Sequence, residues 1–186
     1  MSSSEKGSSK GDNSPKLNDD IARLVRRSDC ECPQPCFPKD IPKTKDIVDI
    51  SMGFTIEIHF ADLSRKKPNL IALNATCNRV AILSCNSASV FKNLVWLDLS
   101  HNMINAIPSD FAKMCPFLFH LDLSSNHFTD ANSVQNLGGL INLKHLNLSY
   151  NQIYALAGIQ HLTSVIQLDL HRNKIVRNQT SIKRNV

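Results

Sequence analysis

One eleven-residue pattern occurs five times in this chain and constrains its fold more than any other feature. The copies begin at Leu70, Leu94, Leu118, Leu143 and Val165. Each fits the template L-x-x-L-x-L-x-x-N-x-I, where L and I stand for apolar residues, and successive copies start 24, 24, 25 and 22 residues apart. A weaker copy begins at Ile47, with Ile50 and Met52 in frame but Thr55 in place of asparagine. Such a period predicts an array in which each copy is one structural unit stacked on its neighbours.

The L-x-L centre of each copy alternates apolar and polar residues, which is the period of a half-buried β-strand. One copy cannot cover its own leucines, whereas stacked copies bury them beneath a continuous parallel sheet. Apolar residues between the copies, such as Ile107, Phe111 and Phe117, suit a returning segment on the other side. We therefore expect an α/β solenoid with a curved parallel sheet on the concave side and helical or irregular segments on the convex side.

An asparagine occupies the same position in every copy, namely Asn78, Asn102, Asn126, Asn151 and Asn173. A strand that turns sharply leaves backbone groups unpaired, and an asparagine side chain both donates and accepts hydrogen bonds. We predict that these residues form a structural ladder and bind no ligand.

The template resembles that of the leucine-rich repeat family from Leu70 to Val176. The longer copies are similar to its typical class. The 22-residue copy, which contains "NQIYALAGIQHL", resembles a short class found in intracellular phosphatase-regulatory, axonemal dynein and spliceosomal proteins. The resemblance implies a protein-binding horseshoe segment without catalysis, in the cytoplasm or in a cytoskeletal, ciliary or nuclear location. It also implies that the concave face binds the partner.

The chain outside the repeats divides by composition. Residues 1–28 form a polar, disordered arm in which 17–27 could be a short amphipathic helix, either docked locally or binding another protein. Residues 29–69 form a linker rich in proline and cysteine, followed by an N-terminal cap or degenerate repeat, and 177–186 form a basic tail after the repeats of 70–176. We expect no secretory signal, because residues 1–16 contain no apolar run, and no membrane span.

The strongest candidate for a metal site is the C-x-C-x3-C cluster of Cys30, Cys32 and Cys36. Zinc sites need four ligands and usually pair cysteines at wider spacing, so free thiols are favoured over a metal or disulfides. The sequence contains no phosphate-binding loop and no nucleophile beside a base. We predict that the chain is not an enzyme and uses no cofactor.

Residues between the inward leucines should face the concave side, where equivalent positions form columns about 4.8 Å apart. Trp96, the only tryptophan, is expected at an exposed position as an interface anchor, although the N-terminal segment could cover it. An acidic stripe of Asp98, Asp122 and Asp169 would favour a basic partner segment, or would be ordinary solvated strand residues. Two histidines in one column could hold a metal, but an interface is favoured. The predicted partner-binding residues are Trp96, Asp98, His101, His120, Asp122, His145, Tyr150, Gln167, Asp169 and Arg172.

The leading hypothesis is a non-enzymatic adaptor, scaffold or regulatory subunit that binds another protein. A ribonucleoprotein subunit is the first alternative, because the end of the chain supplies the excess of the net +5 charge. Nucleic acid binding is not favoured, since no basic patch interleaved with aromatic residues is visible. A secreted recognition module is the second alternative. The cysteine cluster and the N-x-S/T sequences at Asn74, Asn147 and Asn178 suggest it, and the missing signal opposes it.

Overall fold

The computed structural model describes residues 46–85, 90–155 and 159–176. The chain divides into two units, Met1–Pro42 and Lys43–Val186, and all described residues belong to the second. The predicted arm, the 17–27 helix, the cluster of Cys30, Cys32 and Cys36, and the 177–186 tail lie outside the described residues.

The repeats form a parallel sheet, with one strand from each copy. Its strands in spatial order are β1 (Ile47–Asp49), β3 (Ala72–Asn74), β5 (Trp96–Asp98), β6 (His120–Asp122), β7 (His145–Asn147) and β8 (Gln167–Asp169). A second, two-stranded parallel sheet pairs β2 (Glu57–His59) with β4 (Ile82–Ser84). The fold class predicted from the sequence, an α/β leucine-rich solenoid, is confirmed.

Short helical segments return the chain on the other side of the core. They are the α-helices α1 (Phe60–Lys66) and α2 (Phe111–Met114) and the 3-10 helices Ala131–Gly139 and Ile159–His161. Within the described residues, no helix is long and apolar enough to cross a membrane.

The five strong copies stack in the register that the template predicts. Leu97 lies opposite Leu73 on one side and Leu121 on the other, and the pattern continues through Leu146 to Leu168. Leu97 and Leu121 are fully buried, as are Phe60, Phe91 and Phe111, whose rings pack edge-on. Phe117 is 52% exposed, so its predicted place in the convex core is wrong. It directly follows Pro116 in a turn, beyond the end of α2.

The weak copy near residue 47 does form a strand, but its predicted frame is wrong by two residues. Val48, not Ile50, lies opposite Leu73. Met52, expected to be in frame, is 61% exposed and has a left-handed backbone with φ of 55°. Val48 and Ile50 pack against the core instead, because a strand can bury only alternate residues.

Each ladder asparagine ties its own turn to the preceding repeat. The amide of Asn102 donates to the carbonyl of Leu99 in its own copy and to that of Ala75 in the copy before, both at 3.0 Å. Its Oδ1 accepts the Val80 N–H at 2.9 Å. The other ladder asparagines make equivalent bonds, namely Asn78, Asn126, Asn151 and Asn173. These side chains satisfy buried backbone groups that a sharp turn would leave unpaired.

Candidate functional site

Ring side chains form a continuous row across the strands on the concave face. Trp96, His120 and His145 hold the same register position in β5, β6 and β7. The rings of Trp96 and His120 are stacked, with centroids 5.8 Å apart and planes 8° apart. The rings of His120 and His145 are 6.1 Å apart and tilted by 32°. In β8, Gln167 continues the row, and its Oε1 lies 2.8 Å from Nδ1 of His145.

Trp96 is only 7% exposed, so the prediction of an exposed tryptophan is wrong. The indole and the imidazole of His120 in the neighbouring strand are nearly parallel, so the imidazole covers one face of the indole. Farther along the row, His145 is half-buried and Gln167 is exposed. The accessible part of the row therefore lies at the end formed by β7 and β8.

His120 has an unsatisfied polar atom. Its Nδ1 is buried and has no hydrogen-bond partner in the part of the chain that the structure describes. Burial lowers the pKa of His120 to about 4, with the nearby His145 acting in the same direction and Asp122 against it. The ring is therefore neutral at physiological pH, with one donor and one acceptor nitrogen. A buried polar atom without a partner costs roughly 1–3 kcal/mol.

The aspartates of the acidic stripe belong to a second ladder of side chains, in which each side chain bonds the backbone of its own turn. At the end of each strand an aspartate or asparagine Oδ1 accepts the backbone N–H two residues further on. The distances are 2.8 Å at Asp98, 2.8 Å at Asp122 and 2.9 Å at Asp169. Asp49, Asn74 and Asn147 make the same bond, and Asn147 also donates to Oδ2 of Asp122 at 2.9 Å. The sequence analysis missed this role, although an aspartate or asparagine stands at that position in every copy.

Asp98 is the most perturbed of these carboxyl groups. It is 8% exposed, and burial raises its pKa to about 6, with a further rise from the charge of Asp122. Hydrogen bonds from Ser100 oppose the rise. Asp169, in the edge strand β8, has a 42% exposed side chain and bonds the imidazole of His171. The accessible charge on the concave face therefore lies towards the two edges of the sheet, at Asp169 in β8 and at the exposed Asp49 in β1.

Three predicted partner-binding residues do not lie on the strands with the others. His101, Tyr150 and Arg172 lie in the turns after the strands, each just before a ladder asparagine, with φ between 54° and 57°. All three are exposed. Together with the residue that follows each ladder asparagine, they line the edge of the solenoid. This edge is called the rim below.

The described residues offer little for metal or covalent chemistry. No three His, Cys, Asp or Glu side chains among residues 46–85, 90–155 and 159–176 are placed to hold a metal ion. Cys77, Cys85 and Cys115 are free thiols. Asn74, in one of the N-x-S/T sequences, is 1% exposed, so the folded chain gives a glycosylating enzyme no access to it. Asn178 lies outside the described residues.

These features define a solenoid of parallel strands with an asparagine ladder. A family model described as Leucine Rich Repeat matches residues 93–114 and 142–162. The crystal structure of the leucine-rich repeat domain of APL1B superposes with a TM-score of 0.57 at 18% identity, over 69% of this chain and 38% of that one. The chain therefore has the leucine-rich repeat fold, and two of its repeats match the family model. Its fold is of a kind that typically serves as a non-enzymatic interaction module, and the family supports a general role in protein–protein interaction.

Two curated proteins of Schizosaccharomyces pombe are similar to parts of this chain. An uncharacterised leucine-rich repeat-containing protein is 34% identical over 99 residues, which are 50% of this chain and 16% of the relative. Adenylate cyclase is 22% identical over 158 residues, which are 75% of this chain and 9% of the relative. The chain thus spans less than a fifth of either relative's length.

Proposed function

We propose that this chain is a non-enzymatic adaptor or regulatory subunit of the cytoplasm that binds a basic segment of a partner protein on its concave face. The observation that carries the proposal is the row of Trp96, His120 and His145. Residues at this position contribute nothing to the leucine core, yet three consecutive strands place ring side chains there. Aromatic side chains are enriched at the centres of protein interfaces.

The charge on this face favours a basic partner. The strand residues of β5 to β8 include Asp98, Asp122 and Asp169 but no lysine or arginine. Each aspartate uses Oδ1 for its own turn, and Asp169, whose side chain is 42% exposed, presents its charge to a ligand. Complementary charge steers association and selects between partners.

The test removes the accessible end of the row without disturbing the core. The variant combines His145→Ala and Gln167→Ala, which deletes an exposed hydrogen-bonded pair. The matched control is His161→Ala, an exposed histidine in the convex 3-10 helix. Trp96→Ala is less suitable, because removing a buried indole weakens folding as well as binding.

Affinity capture from a cytosolic extract, followed by titration of the purified captured protein, measures the effect. We expect a protein that binds the wild type and the His161→Ala control equally, but binds the double variant at least tenfold more weakly. Circular dichroism checks that all three chains fold. Retention of the same proteins with the same affinities by the double variant would refute concave-face binding.

A further inference from the structure

We propose that the rim is a second interaction surface, which binds an acidic segment of a protein. The rim consists of the residues directly before and after each ladder asparagine. Before the asparagines stand Cys77, His101, Ser125, Tyr150 and Arg172. After them stand Arg79, Met103, His127, Gln152 and Lys174. The proposal is independent of the concave-face function.

The rim is cationic, in contrast to the sheet face. None of its ten positions holds an aspartate or glutamate, three hold arginine or lysine, and two hold histidine. All of these cationic and histidine side chains are exposed. A surface of this composition attracts a negatively charged partner.

The rim is continuous even though its residues are far apart in sequence. A backbone hydrogen bond links each turn to the preceding one, for example Met103 N–H to Val80 O, His127 N–H to Ile104 O and Lys174 N–H to Ile153 O, all at 2.8 to 2.9 Å. Successive turns therefore follow the strand spacing of about 4.8 Å, and five turns span about 20 Å. An extended segment of about six residues covers this length.

Apolar and aromatic groups lie between the cations. Tyr150 is 54% exposed and Met103 is 46% exposed. At the end of the rim near Arg79, the guanidinium carbon lies 5.4 Å from the centre of the Phe54 ring, which is 73% exposed. Arginine, methionine and aromatic residues are the types enriched in protein interfaces. Three permanent cations along about 20 Å are few for a nucleic-acid groove, which tracks a phosphate at every nucleotide.

The backbone adds an independent observation. All five residues that precede the ladder asparagines have left-handed backbones, with φ between 53° and 57°, and among them are Tyr150, His101 and Arg172. Glycine adopts this conformation freely, whereas a bulky residue there is an outlier. Turn geometry alone therefore favours glycine at these positions, yet the chain presents an exposed tyrosine, histidine and arginine. The Tyr150 ring packs edge-on against that of His171, with centroids 4.9 Å apart, so the exposed tyrosine is held in one orientation at the rim.

The test uses the full chain and a labelled peptide of eight residues in which glutamate and leucine alternate. The rim variant combines Arg172→Glu and Lys174→Glu. The matched control combines Lys66→Glu and Lys92→Glu, two exposed lysines away from the rim. A peptide with glutamine in place of glutamate, and an oligouridylate of eight nucleotides, are measured in parallel by fluorescence anisotropy at two salt concentrations.

We expect salt-sensitive binding of the acidic peptide that is about tenfold weaker in the rim variant and unchanged in the control. Tyr150→Gly should weaken binding at least threefold without lowering the midpoint of thermal unfolding.

The proposal is overturned if the acidic peptide does not bind at about 1 mM, or if both charge-reversal variants weaken its binding equally. It is also overturned if the glutamine peptide binds with the same affinity as the acidic peptide. The same holds if the oligouridylate binds more tightly than the acidic peptide and loses that binding in the rim variant. A His145→Ala/Gln167→Ala chain should bind the peptide normally, which separates this surface from the concave face.

Discussion

Replacing Asp98 by asparagine should stabilise the fold at neutral pH. Two other strands already carry asparagine at this position, Asn74 and Asn147, and each accepts the backbone N–H two residues on, at 3.1 and 3.0 Å. The amide of Asp98→Asn can therefore keep the bond from Ser100. Its new N–H donor can bond Asp122, as Asn147 does now. The substitution removes only the buried charge.

The magnitude follows from the pKa of Asp98. Burial raises it from 3.8 to about 6 in the folded chain. At 1.36 kcal/mol per pKa unit, the ionised carboxylate then costs the fold at most about 3 kcal/mol. Because the folded pKa is the higher one, the cost is absent below pH 3.8, grows as pH rises towards 6, and is complete above that value. Part of the rise comes from Asp122, so we expect a gain of about 1–3 kcal/mol above pH 6.5.

Urea unfolding followed by circular dichroism, at intervals between pH 4 and pH 8, measures the free energy of unfolding of both chains. The stability difference should be small near pH 4, rise with pH, and then level off. The depressed pKa of His120 acts in both chains and cancels in the difference. Asp169→Asn is the control, since its side chain is 42% exposed and its gain should stay below about 0.5 kcal/mol. A difference that does not change with pH, or a less stable Asp98→Asn chain at pH 7.5, would refute the reasoning.

Three further predictions concern the core. Asn126→Ala leaves one backbone N–H and three carbonyls without their side-chain partner, and should reduce the free energy of urea unfolding by at least about 3 kcal/mol; a loss below 1 kcal/mol would contradict the ladder's role. Gly138→Ala places a methyl group 2.7 Å from the carbonyl oxygen of His161, so the thermal midpoint should fall by several degrees, and an unchanged midpoint would show that the contact relaxes freely. Burial raises the pKa of the Cys85 thiol to about 11 and that of Cys115 further, so iodoacetamide at pH 7.5 should label both only slowly until urea is added. Peptide mass spectrometry measures the labelling, and rapid modification of Cys115 in the folded chain would contradict its burial.

The stacking of the strong copies could be predicted because a fixed period and an alternating pattern leave one arrangement that buries every leucine. Leu97 and Leu121 are opposite each other for this reason. The frame of the weak first copy could not be predicted from the sequence. Val48, Ile50 and Met52 are all apolar, so the template fits equally well in either of two frames two residues apart. The left-handed turns at Met52 and Phe54 accompany the frame that the structure adopts, and no glycine occupies either position to reveal them.

The two candidate surfaces, the concave face and the rim, were harder to predict from the sequence than the stacking. The pattern placed Trp96 and His120 in one column, but only the structure gives the flat stacking of their rings. The sequence analysis placed His101, Tyr150 and Arg172 among the concave-face residues. It missed the residues that follow the ladder asparagines, because these lie at least 22 residues apart in successive copies. A search for basic residues among nearby aromatic residues cannot find side chains that become neighbours only through stacking.

The asparagine ladder also bears on how a chain of this kind can change length. Asn102 bonds Ala75 and Val80 of the copy before it, and Asn126 makes the equivalent bonds to Leu99 and Ile104. Deleting one whole copy, residues 94–117, would bring Asn126 to the partners that Asn102 now serves. A gene encoding this protein can therefore gain or lose complete copies by unequal recombination and still encode a closed hydrogen-bond network. Loss of a few residues within a copy would instead break that network at the point of the deletion.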